Sequence, residues 1–276
     1  MTLVLIGPLC EDLIIIGDEE SSRVGGASYF QSFVYEEFYD DYLAIVNASN
    51  PDLIDAFPDR SKVRLLLKDD THHFINEYPN KDDLDIRRQS TNFADIPILK
   101  DDLKAIFEGD DMDVDAFVLN PLNSNDFPQE TIEYLSGFNV PVFISLQGFL
   151  RFKGEGNSLV LGYDEKLDSV ISFSDVLFMD EDEFTVISGS DFHDFELVIT
   201  NGSKGSRILF NSEGKEEEIC IDAVKCEDII DSTGCGDTYM ASYISHRLKG
   251  KSIRESADFA SLISSLKLKT SGPYRK

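Results

Sequence analysis

The sequence predicts an α/β protein: a doubly wound, mostly parallel sheet with helices on both faces, plus a small β-strand lid. Three observations predict it. Short runs rich in β-branched residues alternate with helical stretches along the whole 276-residue chain. The run 140–146 is apolar with little alternation, as strands covered on both faces are. Gly-rich turns stand at the starts of helices and the ends of strands, where ligands of such sheets bind. The expectation is one domain over residues 1–276, with the lid built from segments near 10–20 and 60–95. Edge strands of the main sheet are the alternative use of those segments.

The elements follow in order. Residues 2–7 and 12–17 are short, β-branched and bounded by Gly, so they read as strands. Gly25-Gly26 opens a helix running to residue 38, and 42–48 is a further strand. Residues 63–67 and 73–77 read as a hairpin across Lys68-Asp69-Asp70-Thr71, and 86–93 alternates as a strand. From residue 100 the rhythm becomes regular: helix 100–108, strand 116–120, helix 129–136, strand 140–146, then 169–171 and 176–179. Strand 196–200 leads into a Gly-rich loop. Residues 207–210 and 217–221 read as antiparallel strands around Ser212-Glu213-Gly214, and 237–248 and 253–267 as helices.

Charge excludes several partners. The chain has 52 acidic against 25 basic residues, a formal net charge of −27. Nucleic acids and anionic membrane surfaces bind clustered Lys and Arg, so neither is expected as a partner. A nucleotide could bind only where backbone N–H groups, a helix N-terminus, a cation or a local Lys or Arg offsets the field. No apolar run reaches the roughly 18 residues of a membrane span, and the start lacks the basic n-region of a signal peptide. Cys10, Cys220, Cys226 and Cys235 form no CxxC, which fits a reducing cytoplasm better than a disulfide framework or a zinc site.

Four segments could carry chemistry. The sharpest is Asp231-Ser232-Thr233-Gly234-Cys235-Gly236-Asp237, before a helix whose stripe is Met240, Ile244 and Leu248. A Gly-rich turn at a helix N-terminus presents unpaired N–H groups to an anion. Asp237 at that start is expected to favour its charged form and could accept a proton from an attacking hydroxyl. Without a ligand, the same residues make a tight turn and a capped helix. The second segment is Thr200-Asn201-Gly202-Ser203-Lys204-Gly205, a strand end feeding a Gly-rich loop, or else a plain turn. The third is Asp180-Glu181-Asp182-Glu183 at a strand terminus, suited to Mg²⁺ through waters and phosphate oxygens, or else exposed surface. The fourth is Gly25-Gly26-Ala27-Ser28 with Asp12 upstream, a polar-ligand contact or tight helix–sheet packing. His72-His73 reads as a surface pair. No GxxxxGK[ST], GxGxxG or GxSxG motif is present.

In this order the four segments resemble the ribokinase family, also called the PfkB carbohydrate kinases, over nearly the whole chain. DSTGCGD is similar to the family's DTxGAGD signature, GGAS to its di-glycine motif, VITNGSKG to its nucleotide loop and DEDE to its N-x-x-E magnesium motif. Gln147-Gly148-Phe149-Leu150-Arg151 and the opening Gly7-Pro8-Leu9-Cys10-Glu11-Asp12 resemble inositol-kinase-like members. Asp180 replaces the usual Asn, Ser232 a Thr and Cys235 an Ala, and Leu146 stands where the inositol-kinase-like members carry an acid.

The resemblance implies a ribokinase-like fold and ATP-dependent, Mg²⁺-assisted phosphoryl transfer to a hydroxyl of a small sugar, polyol or nucleoside. It implies Asp237 as general base and the N–H groups of Gly234, Cys235 and Gly236 as an anion hole. Thr200, Gly202 and Gly205 would line the ATP site, and Asp12, Gly25 and Gly26 would face the substrate. Glu183 and Asp180 would organise Mg²⁺ through water, and Asp231 would belong to a monovalent-cation site for an ion such as K⁺. A homodimer through the lid is the implied assembly. A catalytically weak relative that senses a nucleotide or sugar is the alternative reading.

Overall fold

The computed structural model describes residues 2–78, 88–110, 112–187 and 195–276. Along the chain run β1 (Thr2–Ile6), β2 (Cys10–Ile16), β3 (Glu19–Gly25), α1 (Ala27–Phe38), β4 (Tyr42–Ala48), β5 (Val63–Leu67), β6 (His72–Tyr78) and β7 (Arg88–Thr91). Then come α2 (Lys100–Asp110), β8 (Val114–Leu119), α3 (Gln129–Ser136), β9 (Val142–Ser145), β10 (Arg151–Lys153), β11 (Leu159–Leu161) and α4 (Lys166–Ser172). The last elements are β12 (Val176–Asp180), α5 (Glu181–Ile187), β13 (Glu196–Thr200), β14 (Ser206–Ser212), β15 (Lys215–Ile221), α6 (Cys235–Leu248) and α7 (Ile253–Lys267).

Nine strands form the main sheet in the order β15-β14-β13-β12-β9-β8-β1-β4-β5. Pairing is parallel from β5 to β13, and β14 and β15 close one side antiparallel. Period-two alternation divides the core. Leu3 and Leu5 of β1, Ala44 and Val46 of β4, and Ala116 and Val118 of β8 face one way, against α1, α6 and α7. Val4, Ile6, Leu43, Ile45, Phe117 and Leu119 face the other way, against α2, α3 and α4. Each such Val, Leu, Ile or Phe side chain contributes roughly 1.5–3 kcal/mol by leaving water, so the central strands fix the register. The chain runs outward from β1 in both directions, which places the switch point between β1 and β8, at the carboxyl ends of the strands.

A second sheet of four strands, in the order β3-β2-β6-β7, stands apart from the main one. β2 and β3 form an antiparallel hairpin, β2 pairs parallel with β6, and β6 pairs antiparallel with β7. This corrects the expected hairpin. β5 joins the main sheet beside β4, with Ala44 opposite Val63, while β6 crosses to the lid. Among the described residues the lid therefore takes 10–25, 72–78 and 88–91, not 63–67. Residues 86 and 87 of the expected strand 86–93 lie outside the described residues. His72 is not a surface residue: it is 1% exposed and its Nε2 lies 3.0 Å from Asp126 Oδ1. Asp126 Oδ2 in turn accepts the N–H groups of Leu122 and Asn123, so the pair anchors the lid's base.

Among the described residues no helix is long and apolar enough to cross a membrane.

Candidate functional site

A cavity of about 380 Å³ lies between the lid and the carboxyl ends of the parallel strands. Ser145, Asp180 and Thr200, the last residues of β9, β12 and β13, form part of its floor. The lid contributes alternate residues of one face: Cys10 and Asp12 from β2, Phe74 and Asn76 from β6, with Arg23 opposite Asp12 and Gln89 opposite Asn76. Thus a period of two aims the lid's polar face at the ligand space. Another side is the turn 232–237 with Tyr239 and Met240 of α6.

Gly234 is the N-cap of α6, with φ 76°, and a Cβ there would overlap the Phe30 ring. Glycine is therefore required by both conformation and space. At Gly236 the opposite holds: a Cβ would meet nothing within 4 Å, so its missing side chain leaves room at the cavity wall. The N–H of Cys235 donates to Ser232 O at 3.2 Å, which removes it from the three amides that the family resemblance assigned to the anion hole. Among the described residues no protein acceptor is found for the N–H groups of Gly234, Gly236 and Asp237, which sit at the positive end of α6. Burial holds the Cys235 thiol up at about 11, so it stays protonated at neutral pH.

Asp237 lines the same cavity. Contrary to the expectation that a helix start would favour its charge, its carboxyl is pushed up to about 6. Burial is the main cause; Arg151 and Lys267 pull it down, and Asp12 adds to the rise. Nearby in the core a buried amide pair links α1 to the residue after β8, and Gln31 Nε2 also reaches Met240 Sδ of α6 at 3.4 Å. Gln31 Nε2 donates to Asn120 Oδ1 at 2.9 Å, and Asn120 Nδ2 donates to Gln31 Oε1 at 2.9 Å and to Ser28 Oγ at 3.0 Å.

Asp180 and Glu183 cap α5 reciprocally: Asp180 N donates to Glu183 Oε2 at 2.9 Å and Glu183 N to Asp180 Oδ1 at 2.8 Å. Asp180 is exposed and Glu183 only 4% so, and both face the cavity. Burial and the neighbouring Asp180 push Glu183 up to about 7. Arg151, at the start of β10, reaches the same space, with its guanidinium 5.7 Å from the Phe74 ring centre.

The structure does not bring every expected residue to the cavity. Thr200, Asp12 and Gly26 line it, whereas Gly25, Gly202, Gly205 and Asp231 do not. A Cβ at Gly25 would lie 2.5 Å from Asp12 Oδ2, so this glycine makes room for the carboxylate. Gly205 has φ 98° and packs on the Ile221 carbonyl, closing β14 against β15. Asp231 lies behind the turn: its carboxylate accepts Arg23 Nη1 and Gly272 N at 3.0 Å each and Thr233 N at 2.9 Å. Sequence reasoning missed Arg23, Asn76 and Gln89. Alternation from Asp12 and hairpin register would have found Arg23, but Asn76 and Gln89 depend on pairings made across the lid.

A large, mostly parallel sheet is covered by a β lid, and a Gly-rich turn and a carboxylate line the cavity between them. Residues 155–276 match the model of the pfkB family carbohydrate kinases. Over 117 residues, 36% of this chain, the sequence is 36% identical to a nucleoside kinase of Methanocaldococcus jannaschii. Over 157 residues, 48% of this chain, it is 27% identical to a ribokinase of Arabidopsis thaliana. These matches span 37% and 40% of the two relatives' lengths.

Among solved structures, a pyrophosphate-dependent kinase in the ribokinase family, complexed with a pyrophosphate analog and myo-inositol, superposes with a TM-score of 0.80 at 21% identity. That comparison covers 99% of this chain and 97% of the other. Arabidopsis thaliana ribokinase with ribose and ATP gives 0.70 at 17% identity, covering 99% and 94%. Burkholderia thailandensis nucleoside kinase with inosine gives 0.72 at 18%, covering 98% and 93%. Residues 155–276 thus match the PfkB family model, and the chain as a whole takes the ribokinase-like fold that the sequence predicts.

Proposed function

We propose that this protein transfers a phosphoryl group from ATP to a hydroxyl of a small sugar, polyol or nucleoside, with Asp237 as the general base. The observation that carries this reading is convergence: the Asp237 carboxyl and the Gly234–Gly236 turn line one cavity, opposite a polar lid face. The relatives whose structures share the fold hold ribose, inosine or myo-inositol, all of them polyhydroxylated.

The acceptor would lie against the lid, where Asp12, Asn76 and Gln89 offer partners to hydroxyl groups. Asp237 would take the proton of the attacking hydroxyl, since a carboxylate of pKa about 6 is ionised at neutral pH yet basic enough to share a proton. The amides of Gly234 and Gly236 and the Arg151 guanidinium would meet the charge on the transferred group. Asp180 and Glu183 fit a hard cation: two carboxylates at a strand end, one raised by burial and then by the other's charge, with oxygen donors only. They would hold Mg²⁺ through water, and the ion would neutralise charge on the donor phosphates. Among the described residues no group of three or more His, Cys, Asp or Glu is placed to hold a metal ion by itself, so this ion would be held largely by waters and phosphate. The lid would exclude water, which favours transfer over hydrolysis.

The test is a panel of sugars, inositols and nucleosides with Mg²⁺ and either ATP or pyrophosphate as donor. The expected result is a phosphorylated acceptor with ATP. Product with pyrophosphate alone would reassign the donor, and binding without any product would favour the sensing role.

A further inference from the structure

The turn that faces the cavity is braced from behind by a buried cation. Lys267, the last residue of α7, has no exposed surface. Its Nζ donates to the Asp231 backbone carbonyl at 2.7 Å and lies 3.8 Å from Asp231 Oδ2. The end of α7 is stitched to the same turn. Ile230 N and Asp231 N donate to Leu268 O at 2.8 and 3.3 Å, and Ser264 Oγ donates to Cys235 O at 3.3 Å. The helix itself is fixed at its far end by a capping box between Ser252 and Glu255.

A monovalent metal ion at Asp231 would need these oxygens for itself. They are already taken: two protein cations, Arg23 and Lys267, and two backbone N–H groups converge on one carboxylate, and the ammonium holds the carbonyl. The donors around Asp231 therefore do not fit K⁺. An ammonium group is a compact point charge, whereas burying it without partners would be costly.

We infer that Lys267 supplies from within the chain the fixed positive charge beneath the 231–236 turn, so that the turn binds phosphate-like anions without a monovalent metal ion. The inference rests on the reading of that turn as a phosphate cradle. The charge reaches the site, because Lys267 lowers the protonation tendency of both Asp237 and Cys235. Lys267 is a positioning residue: it touches the turn, not the ligand.

The experiment measures sulfate and ATP affinity and thermal stability in potassium, sodium and tetramethylammonium chloride at one ionic strength of about 0.1 M. For the unaltered protein the affinities should agree within about twofold, and melting temperature should show no preference for K⁺. Lys267→Met should weaken sulfate binding by about tenfold or more, with K⁺ but not tetramethylammonium restoring part of it. Tighter sulfate binding by the unaltered protein specifically in K⁺, or unchanged affinity in Lys267→Met, would overturn the inference and leave the phosphoryl-transfer reading standing. No sulfate or ATP binding in any salt would overturn both. Should Lys267→Met fail to fold, the salt series on the unaltered protein decides alone.

Discussion

Asp237 shows how one carboxyl group links stability to chemistry. Its pKa of about 6 in the folded protein, against an ordinary 3.8, means that the folded state binds the extra proton between those values. Stability contributed by this group is therefore present at acid pH and lost as pH rises toward about 6. The loss is at most about 3 kcal/mol, from about two pKa units at roughly 1.4 kcal/mol each. Asp237→Asn removes that cost, so its melting temperature should exceed that of the unaltered protein by several degrees at neutral pH and by nothing below the ordinary carboxylate range. Scanning calorimetry at the two pH values checks this. The same substitution should lower turnover by about 10²-fold or more, and kcat/KM of the unaltered protein should rise with pH up to about 6 and then level off. The two glycines nearby separate folding from binding in a similar way. Gly234→Ala must enter a left-handed conformation against Phe30, and should cost about 1–3 kcal/mol in denaturant unfolding. Gly236→Ala meets no neighbour, so it should fold normally and yet bind sulfate more weakly in calorimetry.

At the scale of elements, Arg23 ties the lid to the 231–236 turn. Arg23 of β3 donates from Nη1 to Asp231 at 3.0 Å and from Nη2 to Thr233 Oγ1 at 2.6 Å. Arg23→Gln should leave global stability within about 1 kcal/mol, since the pair is partly exposed. It should instead speed amide hydrogen exchange across Cys10–Gly25, by about tenfold, because the lid then opens locally. Unchanged exchange there would show that the contact does not tether the lid.

Legibility in the sequence follows the same division between local and long-range contacts. β4 and α3 stand where the apolar patterns place them, because each pattern reports the element's own burial. β5 and β6 read as a hairpin because they are neighbours in sequence, yet their partners, β4 and β2, are chosen by pairings no local pattern carries. His72 reads as exposed because Asp126, which buries it, lies 54 residues away. The candidate site was legible where glycines and carboxylates share one turn, and illegible where a strand's far face supplies Asn76. Lys267 reads as an ordinary lysine in a helix's last turn, and only the packing of residues 230–231 on α7 reveals its role.

At the scale of the whole molecule, a net charge of −27 surrounds a cavity that the proposed function fills with an anion. Fixed positive groups counter it locally: Arg151 and Arg23 on the wall, Lys267 beneath, and the N-terminus of α6. These act over a few ångströms at contact, whereas the acidic surface acts over the Debye length, about 10 Å at 0.1 M salt and about 30 Å at 0.01 M. Raising ionic strength between those limits therefore removes the long-range repulsion first and weakens the partly buried contacts less. The association rate of an anionic donor such as ATP should rise with salt over this range, the opposite of the usual behaviour of steered encounters. Stopped-flow binding with a fluorescent ATP analogue in tetramethylammonium chloride tests this without altering any monovalent metal ion. A rate that falls as salt is added would mean that the cavity's own cations govern approach as well as contact, and that the acidic surface is turned away from the entrance.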